Sequence, residues 1–256
     1  MLETLETLPR RLQDRRVPSE VAGSLVKLCD ELQKAIGSGL SAVVLYGGLA
    51  RGRYRPEKSD IDLAVVLKEA TAETLRKIGP LIHRAWQSQR TEALVLSESD
   101  IRNLASAFPV TLLDIQEQHL CLVGHDPFHN LHVPPEDLRK RIAQELWNLT
   151  LRLRRRYLFV TDDLDEQWRI LTDTVRSLAI ELNWMLYLSS RHIEDNDRSA
   201  AIFDRAAETF QLDKQTLSQL ADLRQGAEMP PADLYPRVLG VIERCAHLID
   251  EMRGSA

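Results

Sequence analysis

The chain has 256 residues, 28% of them charged, with a formal net charge of −5 and a pI near 5.8. That length accommodates one large or two modest domains. The acidic balance argues against a general nucleic-acid binder, which carries a basic surplus, and no apolar run approaches the roughly 20 residues of a membrane-spanning helix.

The opening MLETLETLPRRLQDRR has no apolar core, so no secretory signal is expected. Val17-Pro18-Ser19-Glu20 reads as a helix entry, followed by Val21, Leu25, Leu28 and Leu32 at helical spacing and a stop near Gly37-Ser38-Gly39. A strand is expected from about Leu40 to Tyr46. Gly47-Gly48 then hands over to a short helix around Leu49–Tyr54, and a second strand runs from about Ile61 to Lys68. The next predicted helix spans roughly Thr71 to Gln87, with Leu75, Ile78, Leu81, Ile82 and Trp86 on its buried side. Glu92 to Leu96 is a short strand candidate, and a further strand is expected at Thr111–Ile115 before a turn at Gly124-His125-Asp126-Pro127.

Val133-Pro134-Pro135-Glu136 marks the boundary to a second domain, because proline starts a helix but does not continue one. Beyond it lie three apolar stripes. Leu138, Ile142, Leu146, Leu149, Leu153 and Tyr157 form the first, and Trp168, Leu171, Val175, Leu178, Leu182 and Met185 the second. Leu234, Val238, Val241, Cys245 and Leu248 form the third, after a break at Met229-Pro230-Pro231. Helices with single apolar stripes need one another, so a bundle is expected. The whole is read as α+β: a small mixed-sheet domain over about 17–133, then an all-α helical bundle over about 134–254. Cys29, Cys121 and Cys245 fit no zinc or disulfide pattern, and a reducing cytoplasm is the expected setting.

The chemistry concentrates in Ala42 to Leu67, AVVLYGGLARGRYRPEKSDIDLAVVL. Asp60 and Asp62, two apart in a strand, point to one face. Hard oxygen ligands that close suit Mg²⁺ (or Mn²⁺). Gly47 and Gly48 lack side chains, so backbone N–H groups there can approach a phosphate closely. The plainer reading of each half is an ordinary turn and a solvated strand edge; the two together, in this order, point to chemistry on a nucleoside triphosphate.

An apolar strand, Gly-Gly, a spacer of about ten residues and Asp-x-Asp inside a second apolar strand resemble the signature of the nucleotidyltransferase superfamily, which includes the DNA polymerase beta-like fold and the aminoglycoside nucleotidyltransferases. The likeness runs from Val43 to Val66 and includes Ala50-Arg51-Gly52 and Ser59-Asp60. Gly-Gly replaces the commoner Gly-Ser and removes a hydroxyl. The resemblance implies a third carboxylate from the next strand, and Glu92 occupies that place, with Asp114 its rival. Asp60, Asp62 and Glu92 are thus the expected metal-binding and catalytic set.

Gly47, Gly48, Arg51 and Ser59 are the expected nucleotide contacts. Arg51 is nearest the turn, Ser59 bonds phosphate or caps the loop, and Arg55 and Lys58 read as solvated. Glu145 stands where related enzymes place a glutamate base, although a surface glutamate is the simpler reading. His119, His125, His129 and His132 match no ligand spacing and read as polar surface. The basic run from Arg152 to Arg156 reads as a solvated helix face.

The resemblance implies transfer of a nucleoside monophosphate from a triphosphate such as ATP to a hydroxyl, with substrate held between the domains. A small-molecule acceptor is preferred to DNA. A protein partner that is itself modified, or a non-catalytic nucleotide-binding module, are the alternatives.

Overall fold

The computed structural model describes residues 7–15, 17–56, 59–191, 199–223 and 232–252. The chain divides into two compact units, Met1–Pro134 and Pro135–Ala256. In the first, four strands form one sheet: β1 (Leu40–Tyr46), β2 (Ile61–Leu67), β3 (Thr91–Ser97) and β4 (Leu120–Gly124), in the order β3-β2-β1-β4. β1 runs antiparallel to both β2 and β4, whereas β2 and β3 are parallel.

Both faces of β1 and β2 are covered, which is why these strands read as nearly continuous apolar runs. On one face Val43, Leu45, Ile61, Leu63, Val65 and Leu67 meet α1 (Leu8–Asp14), α2 (Ser19–Ile36) and α4 (Ala72–Gln89). Leu8 and Leu12 are wholly buried there, so the helix ahead of residue 17 belongs to this core. On the other face Ala42, Val44, Ala64, Val66 and Leu96 meet α5 (Glu98–Ala107) and α6 (Pro109–Glu117). Sliding β2 by one residue would exchange its two faces, so burial on both sides fixes the register. α4 carries the chain from β2 across to β3, the connection a parallel pair requires.

Three expectations need correction. Thr111–Ile115 is not a strand but part of α6. Pro109 sits in the first turn with its φ already suited to a helix, and Pro109, Leu112 and Leu113, at helical spacing, are buried. The strand in this stretch is β4, a short apolar run that periodicity cannot tell from helix. The buried side of α4 is also narrower than its pattern implies. Ile78 is buried, Leu81, Ile82 and Ala85 are partly so, and Leu75 and Trp86 at the ends are exposed. The helix after the glycine pair, α3, spans Gly47–Ala50, earlier and shorter than expected.

The second unit is helical throughout its described residues: α7 (Pro135–Val160), α8 (Leu164–Leu188), α9 (Ser199–Phe210), α10 (Lys214–Asp222) and α11 (Leu234–Glu251). α7 packs on α8 and α11, and α9 packs on α8 and α10. Tyr235 joins α11 to α7 by donating its hydroxyl to the Leu153 carbonyl at 2.9 Å and stacking on Tyr157. The proline break at 229–231 lies outside the described residues. Among those residues no helix is long and apolar enough to cross a membrane, and Cys29, Cys121 and Cys245 are buried free thiols.

Candidate active site

At one end of the sheet the ladders bring three residues into a row: Tyr46 opposes Asp62, and Asp62 opposes Glu92. Partners directly opposite in a sheet share a face. This is the face of Ala42, Val44, Ala64, Val66 and Leu96, so the row continues an apolar layer as a polar rim. Asp62 and Glu92, 30 positions apart in sequence, are adjacent because the β2–α4–β3 crossover is in register.

The glycine turn closes on this row. Gly47 has φ +70, a left-handed conformation that favours glycine, and a Cβ built there would overlap the Asp62 carboxylate. Gly48 faces open space, with nothing within 4 Å of where its Cβ would stand. The two glycines therefore do different work. Gly47 admits the carboxylate, and Gly48 leaves the approach clear.

Burial, then Glu92, Asp60 and Asp114, raise the Asp62 carboxyl to about 6, with Arg51 pulling the other way. Burial and the charges of Asp62, Glu92 and Asp114 push the Tyr46 phenol up to about 12. Both shifts report one cause, a half-buried concentration of negative charge. Tyr46 escaped the sequence reading, although it immediately precedes the glycine pair and shares strand parity with Ala42 and Val44.

Each remaining candidate has a partner. Asp60 Oδ1 accepts from Arg90 Nε at 2.6 Å. Arg90 caps α4 in a left-handed conformation, φ 52, and its carbonyl accepts from the Ile61 N–H. Nothing in the sequence singled it out. Arg51 Nη2 donates to Asp114 Oδ1 at 2.6 Å and to the Asp114 carbonyl at 3.2 Å. Asp114 thus lies on α6 facing Arg51, while Glu92 stands next to Asp62 in the sheet. Ser59 Oγ accepts from the Arg55 N–H at 3.1 Å and caps its loop. Lys58 lies outside the described residues.

The donors suit a hard divalent cation: carboxylate oxygens in a half-buried setting with surplus negative charge. Among the described residues, however, no three His, Cys, Asp or Glu side chains converge as a ligand group.

His119 is not surface: its Nε2 lies 2.6 Å from Asp126 Oδ2, and Asp126 Oδ1 accepts from the Phe128 and His129 N–H groups. The pair orders the loop after β4. In the second unit Glu145 is ion-paired with Arg141 one helical turn away. Beside them on α8, burial and then the Glu145 charge raise the Glu181 carboxyl to about 8, partly offset by Arg141. Arg154 pairs with Glu243, and Arg152, Arg155 and Arg156 are exposed along α7.

A family profile described as a nucleotidyltransferase domain matches residues 25–145. Among solved structures, the chain is similar to spectinomycin adenyltransferase AAD(9) from Enterococcus faecialis, crystallised with ATP and spectinomycin. The identity is 14%, covering 87% of this chain and 98% of that one, with a TM-score of 0.48. No curated protein matches the chain.

Proposed function

We propose, from a chain whose residues 25–145 match a nucleotidyltransferase-domain family profile, that it moves a nucleoside monophosphate from a nucleoside triphosphate to a hydroxyl of a small-molecule acceptor. The observation that carries the reading is the register of Asp62 against Glu92 beside a glycine turn shaped around the Asp62 carboxylate.

The acceptor hydroxyl gives up its proton to solvent as its oxygen forms a bond to the α-phosphorus; the bond from that phosphorus to the bridging oxygen breaks, the oxygen keeps the electron pair, and pyrophosphate leaves. Of the expected set Asp60, Asp62 and Glu92, the adjacent pair Asp62 and Glu92 would hold a divalent cation, while Asp60 is paired with Arg90; the cation when bound would neutralise phosphate charge and acidify a coordinated hydroxyl. Gly47 and Gly48 let the polyphosphate approach the backbone, and Arg51 offers a guanidinium to its oxygens. Ser59 orders the loop that leads into Asp60. Glu145, already paired with Arg141, fits a helix-surface ion pair better than a proton acceptor.

One observation favours a second reading, a protein acceptor. Leu151, Leu158 and Phe159 are exposed on α7, the last at 82%, beside Arg152 and Arg155. Exposed apolar residues grouped on one helix face suit a partner surface. A non-catalytic module is disfavoured because Glu92 opposes Asp62 on the same face.

Calorimetry with the four ribonucleoside triphosphates, with and without Mg²⁺, tests the first reading on the native protein and an Asp60→Asn/Asp62→Asn variant. Metal-dependent binding that the variant loses supports it and names the donor. Absence of binding by the native protein at millimolar nucleotide overturns it.

A further inference from the structure

Asp114 was the rival for the third carboxylate, and its place in the fold gives it different work. It sits on α6, whose Pro109, Leu112, Leu113 and Ile115 are buried, so its backbone is anchored to the sheet. It faces the site closely enough for its charge to act on Asp62 and Tyr46. Yet the group it binds is Arg51, through both its carboxylate and its own carbonyl, at 2.6 and 3.2 Å.

Arg51 is fixed at its other end as well. It follows α3 directly, and its N–H donates to the Gly47 carbonyl at 3.2 Å. Its side chain is only 12% exposed. A long side chain tied at both ends has already lost the rotamer freedom that binding would otherwise cost. Asp114 engages only Nη2, and a guanidinium carries further N–H donors on Nη1 and Nε. The Arg51 charge also acts on Asp62, so an Arg51 released from Asp114 has a competing anion to turn to.

We propose that Asp114 is a positioning residue: it presets the Arg51 guanidinium beside the glycine turn for a phosphate oxygen of the triphosphate, and is not itself a metal ligand. This rests on the nucleotide reading of the site. It adds a division of labour among the carboxylates, with Asp62 and Glu92 for the cation and Asp114 for the arginine.

The test is a double-mutant cycle on triphosphate affinity. Native protein, Asp114→Asn, Arg51→Ala and the double variant are titrated calorimetrically with the tightest-binding triphosphate at saturating Mg²⁺. The Mg²⁺ requirement of each is measured separately, and thermal midpoints verify folding. Asp114→Asn should weaken binding about tenfold, the size of one charge-assisted hydrogen bond. The double variant should be no weaker than Arg51→Ala alone, because Asp114 acts through Arg51. Asp114→Glu should recover most of the loss, and the Mg²⁺ midpoint should not move.

In the nucleotide-free protein, the Arg51 side-chain N–H resonance should be sharp and shifted in the native form and averaged in Asp114→Asn. Additive losses, a raised Mg²⁺ requirement in Asp114→Asn, or unchanged affinity would overturn the inference and leave the nucleotide reading standing. A native protein that binds no triphosphate would overturn both.

Discussion

Replacing Asp62 by Asn should stabilise the protein while removing the metal-dependent nucleotide binding proposed for the site. The carboxyl is raised from 3.8 to about 6 by burial and by its acidic neighbours. A group whose pKa rises on folding contributes stability below its unfolded pKa and loses that contribution as pH climbs through the folded value. At pH 8 Asp62 is therefore a charged group that the fold carries at a cost; at pH 4 it is not. A shift of this size corresponds to about 3 kcal/mol at 1.36 kcal/mol per pKa unit. Asp62 is only partly shielded from solvent, so screening reduces the expected gain to about 1 kcal/mol.

For a chain of this length that is an increase of about 2–4 °C in thermal midpoint. The measurement is thermal unfolding by circular dichroism at pH 4 and pH 8, without divalent ions, on native protein and Asp62→Asn. The gain should appear at pH 8 and vanish at pH 4. Millimolar Mg²⁺ with nucleotide should then raise the native midpoint and leave the variant's unchanged. An equal change at both pH values, or a less stable variant at pH 8, would refute the electrostatic account of the site.

The two glycines should separate cleanly. Gly47→Ala forces a Cβ onto the Asp62 carboxylate at a left-handed φ, which should cost about 1–3 kcal/mol in urea denaturation and abolish nucleotide binding. Gly48→Ala should leave stability within about 1 kcal/mol, as expected for glycine against alanine in a short helix, but weaken triphosphate affinity by calorimetry. Glu181→Gln should raise unfolding stability by about 2 kcal/mol at pH 9 and by little at pH 4, below the unfolded carboxyl's pKa. The raised Glu181 carboxyl loses its favourable contribution as pH rises through about 8, and its Oε2 is buried without a hydrogen-bond partner among the described residues. Ser97→Ala removes the hydroxyl of a capping box with Asp100 at the start of α5 and should cost about 1 kcal/mol in the same denaturation assay.

Much of the fold around the glycine turn is legible in the sequence. The strand ending at Tyr46, the glycine pair and the Asp60–Asp62 strand combine local signals that agree: an apolar run, a punctuating turn and period-two alternation. The two cores explain why alternation was weak inside β1 and β2, where both faces are covered. Sequence failed where the deciding force was non-local. Thr111–Ile115 is as apolar as a strand, and only the packing of Pro109, Leu112 and Leu113 on the sheet makes it a helix. Arg90 acquires its role from the register that sets it near Asp60, and Asp114 from the helix that turns it to Arg51. Neither pairing leaves a trace in spacing, because 30 and 63 positions separate the partners.

The parallel pairing of β2 with β3 has a consequence for folding. The acidic pair does not exist in any segment of the chain shorter than the whole crossover, since α4 and its 18 residues must be laid down before Glu92 reaches Asp62. Pairings of this kind are closed late, after the loop-closure entropy of the connection has been overcome. A nascent or partly unfolded chain therefore presents scattered carboxylates with no particular claim on a divalent ion. On the proposed reading, affinity for metal and nucleotide would be a property of the finished sheet alone, and a ligand bound there would draw the population toward complete molecules.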